Sequence, residues 1–248
     1  MNKTTVDFSI IIPTFNEKDN ILLLIKTIKN LKFTNLNYEI IVVDDNSPDG
    51  TYKEVIKKFG KDKVVKALLR ENERGLASAI LHGIKNSKNE IVLGMDADFN
   101  HPPEAIPQMI NELQTHDFVV ASRFIKGGGM EEKKRYLSTF LFNWFLKHVL
   151  EFPTMDNMSG FYAIRKKELL KLPLEKIYKG YGEYHLRLVY LAGKNNLSIK
   201  EIPVFYKKRA SGKSKSNLPK MLVLYLKEAF KLRFYEKKFG IQNTHFRT

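Results

Sequence analysis

The sequence predicts a three-layer α/β fold built on a mostly parallel central sheet. Three observations predict it. Short apolar runs alternate with segments of helical period through the first half of the chain. Those runs are continuously apolar, as strands covered on both faces require. Polar clusters stand at the ends of three of them, where open α/β sheets bind ligands.

Taken in order, residues 8–13 form a first strand that ends Ile-Ile-Ile-Pro. Residues 17–31 form a helix with Ile21, Leu24, Ile25 and Ile28 at i, i+3, i+4 and i+7, and Asn16 stands in its N-cap position. The second strand, 38–45, ends in Asp44-Asp45, and Asp49-Gly50-Thr51 then turns the chain and caps a helix over 51–59. Strands over 64–69 and 91–96 flank a helix over 75–86, and a helix over 103–116 leads to a strand over 118–122. A chain of 248 residues buries one substantial core. Residues 1–210 are therefore expected to form one catalytic domain, and 211–248 a flexible loop with a basic amphipathic tail. Ala-Ser-Gly-Lys-Ser-Lys-Ser-Asn-Leu-Pro at 210–219 marks the junction.

Composition narrows the function classes. There is no cysteine, which excludes disulfides and thiolate zinc sites, and the six histidines show no His-x-x-x-His pairing. The amino terminus enters a strand pattern with no apolar leader, and the longest uncharged run, 136–146, is well short of the ~20 residues of a spanning helix. A cytoplasmic location is expected. The formal charge of +15 suits an anionic membrane surface, a phosphorylated substrate or nucleic acid. No nucleic-acid recognition module accompanies it, and acidic strand ends repel phosphates that bring no metal, so nucleic acid is not an expected partner.

Chemistry concentrates at Asp96-Ala97-Asp98. Two carboxylates one residue apart can both reach a hard divalent cation, Mg2+ or Mn2+, whose other positions go to diphosphate oxygens and water, and Asn100 can add a neutral oxygen. Acidic pairs are common in solvated loops; the end of a buried strand is what singles this one out. Asp45 can accept a nucleobase imino N–H or a ribose hydroxyl, whereas Asn46, Ser47 and Asp49 read as turn and capping residues. Gly127-Gly128-Gly129 is too short and wrongly placed for a phosphate-binding loop and reads as a flexible hinge.

The ordered series Ile-Ile-Pro-Thr-Phe-Asn-Glu (11–17), Val-Val-Asp-Asp-Asn-Ser-Pro-Asp-Gly-Thr (42–51), Gly-Leu-Ala-Ser-Ala (75–79) and Met-Asp-Ala-Asp-Phe-Asn-His-Pro-Pro-Glu (95–104) resembles glycosyltransferase family two. Ser-Arg-Phe-Ile-Lys-Gly-Gly-Gly (122–129), Ser-Gly-Phe-Tyr-Ala-Ile-Arg (159–165), Glu-Ile-Pro-Val (201–204) and Arg209-x-x-Gly212-x-Ser214-Lys215 narrow the resemblance to dolichyl-phosphate mannose synthases and polyprenyl-phosphate glycosyltransferases. The resemblance implies a GT-A (Rossmann-like) fold. It implies inverting transfer of a sugar from a nucleotide-sugar to a polyprenyl or dolichyl phosphate, with GDP-mannose favoured. A UDP-sugar donor with another lipid or polysaccharide acceptor is the alternative.

By the same resemblance Pro13, Phe15, Glu17, Val43 and Asp45 line the nucleoside pocket, and Asp96, Ala97 and Asp98 hold the diphosphate. Asp98 and Asn100 take the metal, Arg123 and Arg209 bind phosphates, and Lys215 closes over the donor. Phe15 stands where relatives often have tyrosine, and Asn100 where they commonly have glutamine. The stretch 180–187, Gly-Tyr-Gly-Glu-Tyr-His-Leu-Arg, departs from the mannose-synthase pattern.

A lipid phosphate is already an anion at neutral pH, so its attack on an anomeric carbon needs charge management and no general base. Arginines must hold acceptor phosphate and donor diphosphate side by side while a cation stabilises the leaving group. Arg123 and Arg135 are the candidates for the acceptor phosphate, with Asp98 and Arg209 completing the catalytic set; Arg135 also reads as a solvated member of Lys133-Lys134-Arg135.

Residues 136–150 place Leu137, Phe140, Leu141, Trp144, Phe145 and His148 on one helical face, which suits lipid chains or equally the inside of a core helix. The tail over 218–239 reads as a basic amphipathic helix for an anionic membrane surface. The expected enzyme is peripheral on the cytoplasmic face of a membrane, held by its tail or by a small membrane-protein partner. Two other classes share some of these features. A nucleotidyltransferase lacks support because no Gly-x-Gly-Thr-Arg-type loop follows the first strand, and the intact acidic motifs argue against an inert sugar-binding module.

Overall fold

The computed structural model describes residues 6–31, 33, 36–207 and 218–234. Its main sheet holds β1 (Val6–Thr14), β2 (Leu36–Asp44), β3 (Val65–Leu69), β4 (Ile91–Gly94), β5 (Phe118–Ser122), β7 (Tyr162–Arg165) and β8 (Ile199–Pro203), while β6 (Gly129–Met130) pairs with β9 (Phe205–Tyr206) apart from it. The order is β3-β2-β1-β4-β7-β5-β8. Every pairing in this sheet is parallel except those of β7, which runs antiparallel to both β4 and β5.

The apolar runs are continuous because the sheet is covered on both faces. Along β1, Ile10 and Ile12 enter one core and Ile11 the other, and all three are fully buried. The first core joins the sheet to α1 (Lys18–Asn30), α2 (Thr51–Phe59) and α4 (Ile106–Glu112) through Leu24, Val55 and Met109. The second joins it to α3 (Leu76–Asn86), α5 (Lys133–His148), α8 (Glu183–Lys194) and α9 (Leu218–Phe234) through Ile80, Leu146, Leu188 and Ala229. Short helices α6 (Lys166–Leu169) and α7 (Leu174–Ile177) bridge β7 to α8. Each fully buried aliphatic side chain contributes about 1.5–3 kcal/mol.

Several elements differ from the sequence expectation. Glu17, and not Asn16, is the N-cap of α1. Asn16 takes a left-handed conformation at φ 55°, which asparagine tolerates, and its N–H donates to Ser47 Oγ at 2.9 Å. The helix expected over 103–116 is a 3-10 turn, Pro103–Ala105, followed by α4. Pro107 lacks an N–H and is tolerated only in the first turn of an α-helix, so α4 begins beside it.

Between the two readings of residues 136–150, α5 decides by its burial pattern. Its polar residues Thr139 and Asn143 are buried, whereas Leu137, Leu141 and Trp144 are 58%, 57% and 47% exposed. Most of the apolar face read from the sequence therefore points outward, while Phe145 packs partly against the second core beside Leu146. The inner face works by hydrogen bonds: Thr139 Oγ1 donates to the Arg135 carbonyl at 2.6 Å, and Asn143 Oδ1 accepts from Asn157 N at 2.8 Å. α5 thereby fixes the loop that carries Asp156.

The described part of the tail is a structural element. In α9, Tyr225, Ala229 and Leu232 are buried against the fold. Glu228 Oε1 lies 3.4 Å from Arg187 Nε of α8, and Arg233 Nη2 donates to Glu151 Oε2 at 2.7 Å. A Cβ at Gly182 would collide with the Tyr225 hydroxyl. Among the described residues no helix is long and apolar enough to cross a membrane.

Candidate active site

β1 and β4 are adjacent, but the chain leaves β1 toward β2 on the opposite side. The crevice outside their carboxyl ends is the topological switch point, where such sheets bind ligands. Two adjoining cavities open there. One, about 270 Å3, is lined by Pro13, Phe15, Glu17, Asp45, Arg74 and Ala97 among others. The second, about 360 Å3, is lined by Asn100, Arg123, Arg135, Ser159, Tyr184 and Tyr225 among others. Asp96, Asp98, Leu76 and Tyr181 line both, so the cleft is continuous.

At the centre, Asp98 is 1% exposed and the Asp96 side chain is 41% exposed. The turn between them and α4 is held by His101. Its Nδ1 accepts the Asp96 N–H at 2.8 Å, and its Nε2–H donates to the Ser159 carbonyl at 3.0 Å. These bonds set the tautomer and occupy both ring nitrogens, so His101 orients the turn and is not a metal ligand. Asn100 stands beside Asp98 and lines the cleft. Its N–H and Nδ2 both donate to Asp98, at 3.0 and 2.9 Å, so the short amide braces the carboxylate.

Asp96 and Asp98 fit a hard divalent cation: two oxygen donors at one strand end, one of them held rigidly, on a cleft wide enough for phosphate oxygens. Among the described residues no cluster of three or more His, Cys, Asp or Glu forms, which leaves the other positions to substrate and water.

Two residues expected round the nucleoside also have structural partners. Val43 is fully buried, in the core shared with α3, and only its carbonyl turns toward the strand end, accepting from Thr14 Oγ1 at 3.4 Å. Asp45 lines the cavity, but its oxygens already accept from Arg70 Nε at 2.7 Å and Gly75 N at 2.8 Å. It anchors the loop before α3 as much as it faces a ligand. Ser47 and Asp49 are turn residues, as expected: Ser47 N and Oγ donate to Asp44, and Asp49 Oδ1 accepts from Thr51. Pro13, Phe15, Glu17, Asp96, Ala97 and Asp98 lie together as expected.

In the second cavity, Arg123 is clasped by Asp156: Nε to Oδ2 and Nη2 to Oδ1, both 2.7 Å, with Arg123 N to Oδ2 at 3.0 Å. The rings of Phe124 and Tyr206 flank the guanidinium at 4.8 and 4.9 Å. Burial opposes the charge, but Asp156 outweighs it and holds the pKa above the usual arginine value. Asp156 is placed by Glu201, whose oxygens accept from Met155 N at 2.9 Å and Asp156 N at 3.1 Å. Arg135 lines the same cavity, and its buried Nε has no hydrogen-bond partner. Arg209 and Lys215 lie outside the described residues.

Gly127-Gly128-Gly129 is packed tightly where a hinge was expected. A Cβ on Gly128 would stand 2.7 Å from the carbonyl oxygens of Ser122 and Arg123, and Gly129 N donates to the Val204 carbonyl at 3.0 Å. Glycine is required there for close backbone approach beside Arg123.

A mostly parallel α/β sheet with a carboxylate pair at its switch point and a buried arginine on the same cleft is the arrangement of the GT-A fold. The fold matches that of glucosyl-3-phosphoglycerate synthase from Mycobacterium tuberculosis. Its complex with Mn2+, UDP and phosphoglyceric acid superposes with TM-score 0.70 at 18% identity, over 96% of this chain and 80% of that one. Its complex with Mg2+ and UDP gives 0.69, over 96% and 81%.

The Glycosyl transferase family 2 profile matches residues 9–172, and the chain belongs to that family. It is 34% identical over 233 residues to the dolichol-phosphate mannosyltransferase of Pyrococcus furiosus, covering 92% of this chain; the chain spans 64% of that protein's length. To the dolichol-phosphate mannosyltransferase of Saccharomyces cerevisiae it is 31% identical over 255 residues, covering 96% of this chain and 91% of the yeast protein.

Proposed function

We propose that this glycosyltransferase moves mannose from GDP-mannose to a dolichyl or polyprenyl phosphate in one displacement that inverts the anomeric carbon. The observation that carries the reading is the gathering of charged groups in one cleft: Asp96 and Asp98 line the cavity that Arg123 and Arg135 also line. Asp96 and Asp98 would hold Mg2+ or Mn2+, which would supply positive charge to neutralise a departing nucleoside diphosphate. Arg123, with two of its five N–H groups bound by Asp156, offers the rest to the acceptor phosphate, and Arg135 adds a second guanidinium on the same cavity. The acceptor oxygen is thus held as an anion against the anomeric carbon without a general base.

Glu17 favours guanine in the donor cavity. A carboxylate accepts from guanine N1–H and N2–H side by side, whereas uracil presents one N–H between two carbonyl oxygens.

The same reading places the enzyme against the cytoplasmic face of a membrane. α5 and α9 each begin at the acceptor-side cavity, lined by Glu132 and Arg135 from one and Met221 and Tyr225 from the other, and their far ends meet at the Arg233–Glu151 pair. Leu137, Leu141, Trp144 and Val149, with Val223, Leu224, Phe230 and Phe234, point outward. Apolar surface of this kind, leading to a phosphate-sized polar cavity, suits an isoprenoid lipid at a bilayer surface.

The test is a transfer assay with polyprenyl phosphate in detergent, GDP-mannose or UDP-glucose, and Mg2+ or Mn2+. Lipid-linked mannose that disappears in EDTA is expected. Transfer from UDP-glucose alone overturns the donor, and transfer unaffected by EDTA overturns the metal assignment.

A further inference from the structure

His185, near the start of α8, is 1% exposed and lines the acceptor-side cavity with Arg123, Ser159 and Tyr184. Neither of its ring nitrogens makes a hydrogen bond of normal geometry; the Asp156 backbone lies near enough to pull weakly on the ring. The nearest rings, Tyr162 and Tyr184, stand 5.7 and 6.1 Å away between centroids, and their hydroxyls are engaged elsewhere. Tyr162 shares a 2.8 Å bond with Tyr178, and Tyr184 points to the Gly160 carbonyl at 3.5 Å. Leaving a buried polar group unsatisfied costs about 1–3 kcal/mol, so an orphaned imidazole on a cavity wall calls for a partner that arrives with the ligand.

The chemistry of the ring says which partner. Burial above all pushes its pKa down to about 3, against the pull of Asp156 and with His101 and Arg123 adding to the drop. The ring is neutral at working pH and carries one N–H donor and one acceptor. That complement matches a hydroxyl, which both donates and accepts. It does not match a phosphate oxygen, which only accepts and for which Arg123 stands in the same cavity. Asp96 and Asp98 line this cavity too, so a sugar carried on a diphosphate held there lies above the wall that His185 forms.

We propose that His185 binds a hydroxyl of the transferred sugar and is a specificity-determining residue of the cleft. The proposal rests on the reading of this cleft as the transfer site. It gives a structural meaning to the stretch 180–187: the departure from the mannose-synthase pattern falls where the sugar is read.

The experiment uses the full chain with Mn2+ and compares His185→Phe and His185→Gln with the wild type, titrating GDP-mannose and UDP-glucose against GDP and UDP alone. His185→Phe is expected to weaken the nucleotide-sugar that the wild type binds by about 10-fold, the loss of one hydrogen bond, with affinity for the bare diphosphate unchanged. His185→Gln, whose amide donates and accepts, should recover most of the loss. Deoxy analogues of the bound sugar should include one that the wild type binds about 10-fold more weakly and that His185→Phe binds no worse than the parent sugar. Wild-type nucleotide-sugar affinity in His185→Phe, or equal weakening of sugar-nucleotide and bare diphosphate, overturns the proposal. If His185→Phe does not fold, an affinity in His185→Gln no better than bare diphosphate, or a deoxy series without a discriminated hydroxyl, overturns it. A wild type that binds neither nucleotide-sugar overturns the transferase reading itself, and the proposal with it.

Discussion

Asp156 and Arg123 form a bidentate ion pair in which the Asp156 side chain is 0% and the Arg123 side chain 6% exposed. Removing one partner from such a pair strands a buried charge and costs about 3–5 kcal/mol. Asp156→Ala should lower unfolding free energy by about that amount in urea titration and abolish transfer. Arg123→Met combined with Asp156→Leu should recover stability without recovering transfer. A single variant as stable as wild type would mean that the clasp is not made in solution.

Asp98→Asn tests the cation site with little risk to the fold, because an amide keeps the shape of the carboxylate beside Asn100. Its melting temperature should stay close to wild type while transfer falls about a hundredfold or more, the loss of several kcal/mol of charge stabilisation. Retained Mn2+-dependent nucleotide binding would contradict the assignment.

Two glycines separate packing from conformation. Gly128→Ala drives a methyl into two backbone carbonyls and should cost about 1–3 kcal/mol, with transfer impaired because Arg123 shifts. Gly50→Ala meets no atom within 4 Å and should cost only the penalty of its φ of +82°, about 1 kcal/mol, with transfer intact. Equal melting temperatures for Gly128→Ala and wild type would restore the hinge.

His185 predicts an acid limb of the stability profile. Its pKa is about 3 folded against 6.5 unfolded, so below about pH 6.5 the unfolded chain takes up a proton that the folded chain refuses. Its contribution is present above that pH and is lost as pH falls toward the folded value. Glu201 acts in the opposite sense. Burial raises its pKa, so its contribution is complete below the unfolded value of 4.5 and disappears as pH rises through the folded one. Asp49, Asp62 and Asp117 have lowered pKa values, and their contributions are lost only at lower pH, as pH falls through those values. Melting temperature should decline from about pH 7 to pH 5 in the wild type and be flatter in His185→Gln. Parallel curves would place the protonation elsewhere.

The outward face of α5 makes a separable prediction. Replacing Leu137, Leu141 and Trp144 together by serine removes no core contact and should change stability by less than about 1 kcal/mol. Co-sedimentation with vesicles containing anionic lipid should fall severalfold. Unchanged sedimentation would remove α5 from the membrane surface.

The strands were legible because burial on both faces writes itself as an unbroken apolar run, as in Ile10-Ile11-Ile12 and Val42-Val43. β7 and β8 were not assigned as strands from the sequence, since β7 inserts antiparallel between β4 and β5 and nothing local announces a partner so distant in the chain. The carboxylates at the strand ends were legible for the same reason as the strands. Asp156 was not: it and Arg123 are 33 residues apart, joined only by the fold. His101 could have been found, since it lies within the 95–104 series and closes its turn. His185 has no spacing signal at all; only its missing partners reveal it. The facing of α5 stayed open between lipid and core because Thr139 and Asn143 look like surface residues until the Asn157 loop is seated on them.

The fit of Tyr225 against Gly182 makes the two positions hereditary companions. A chimaera that grafts the α9 segment of one relative onto the core of another inherits a clash unless glycine at 182 travels with tyrosine at 225. Homologues that carry a side chain at the first position should carry a smaller residue at the second, so the pair is a place to look for correlated change when these tails are exchanged.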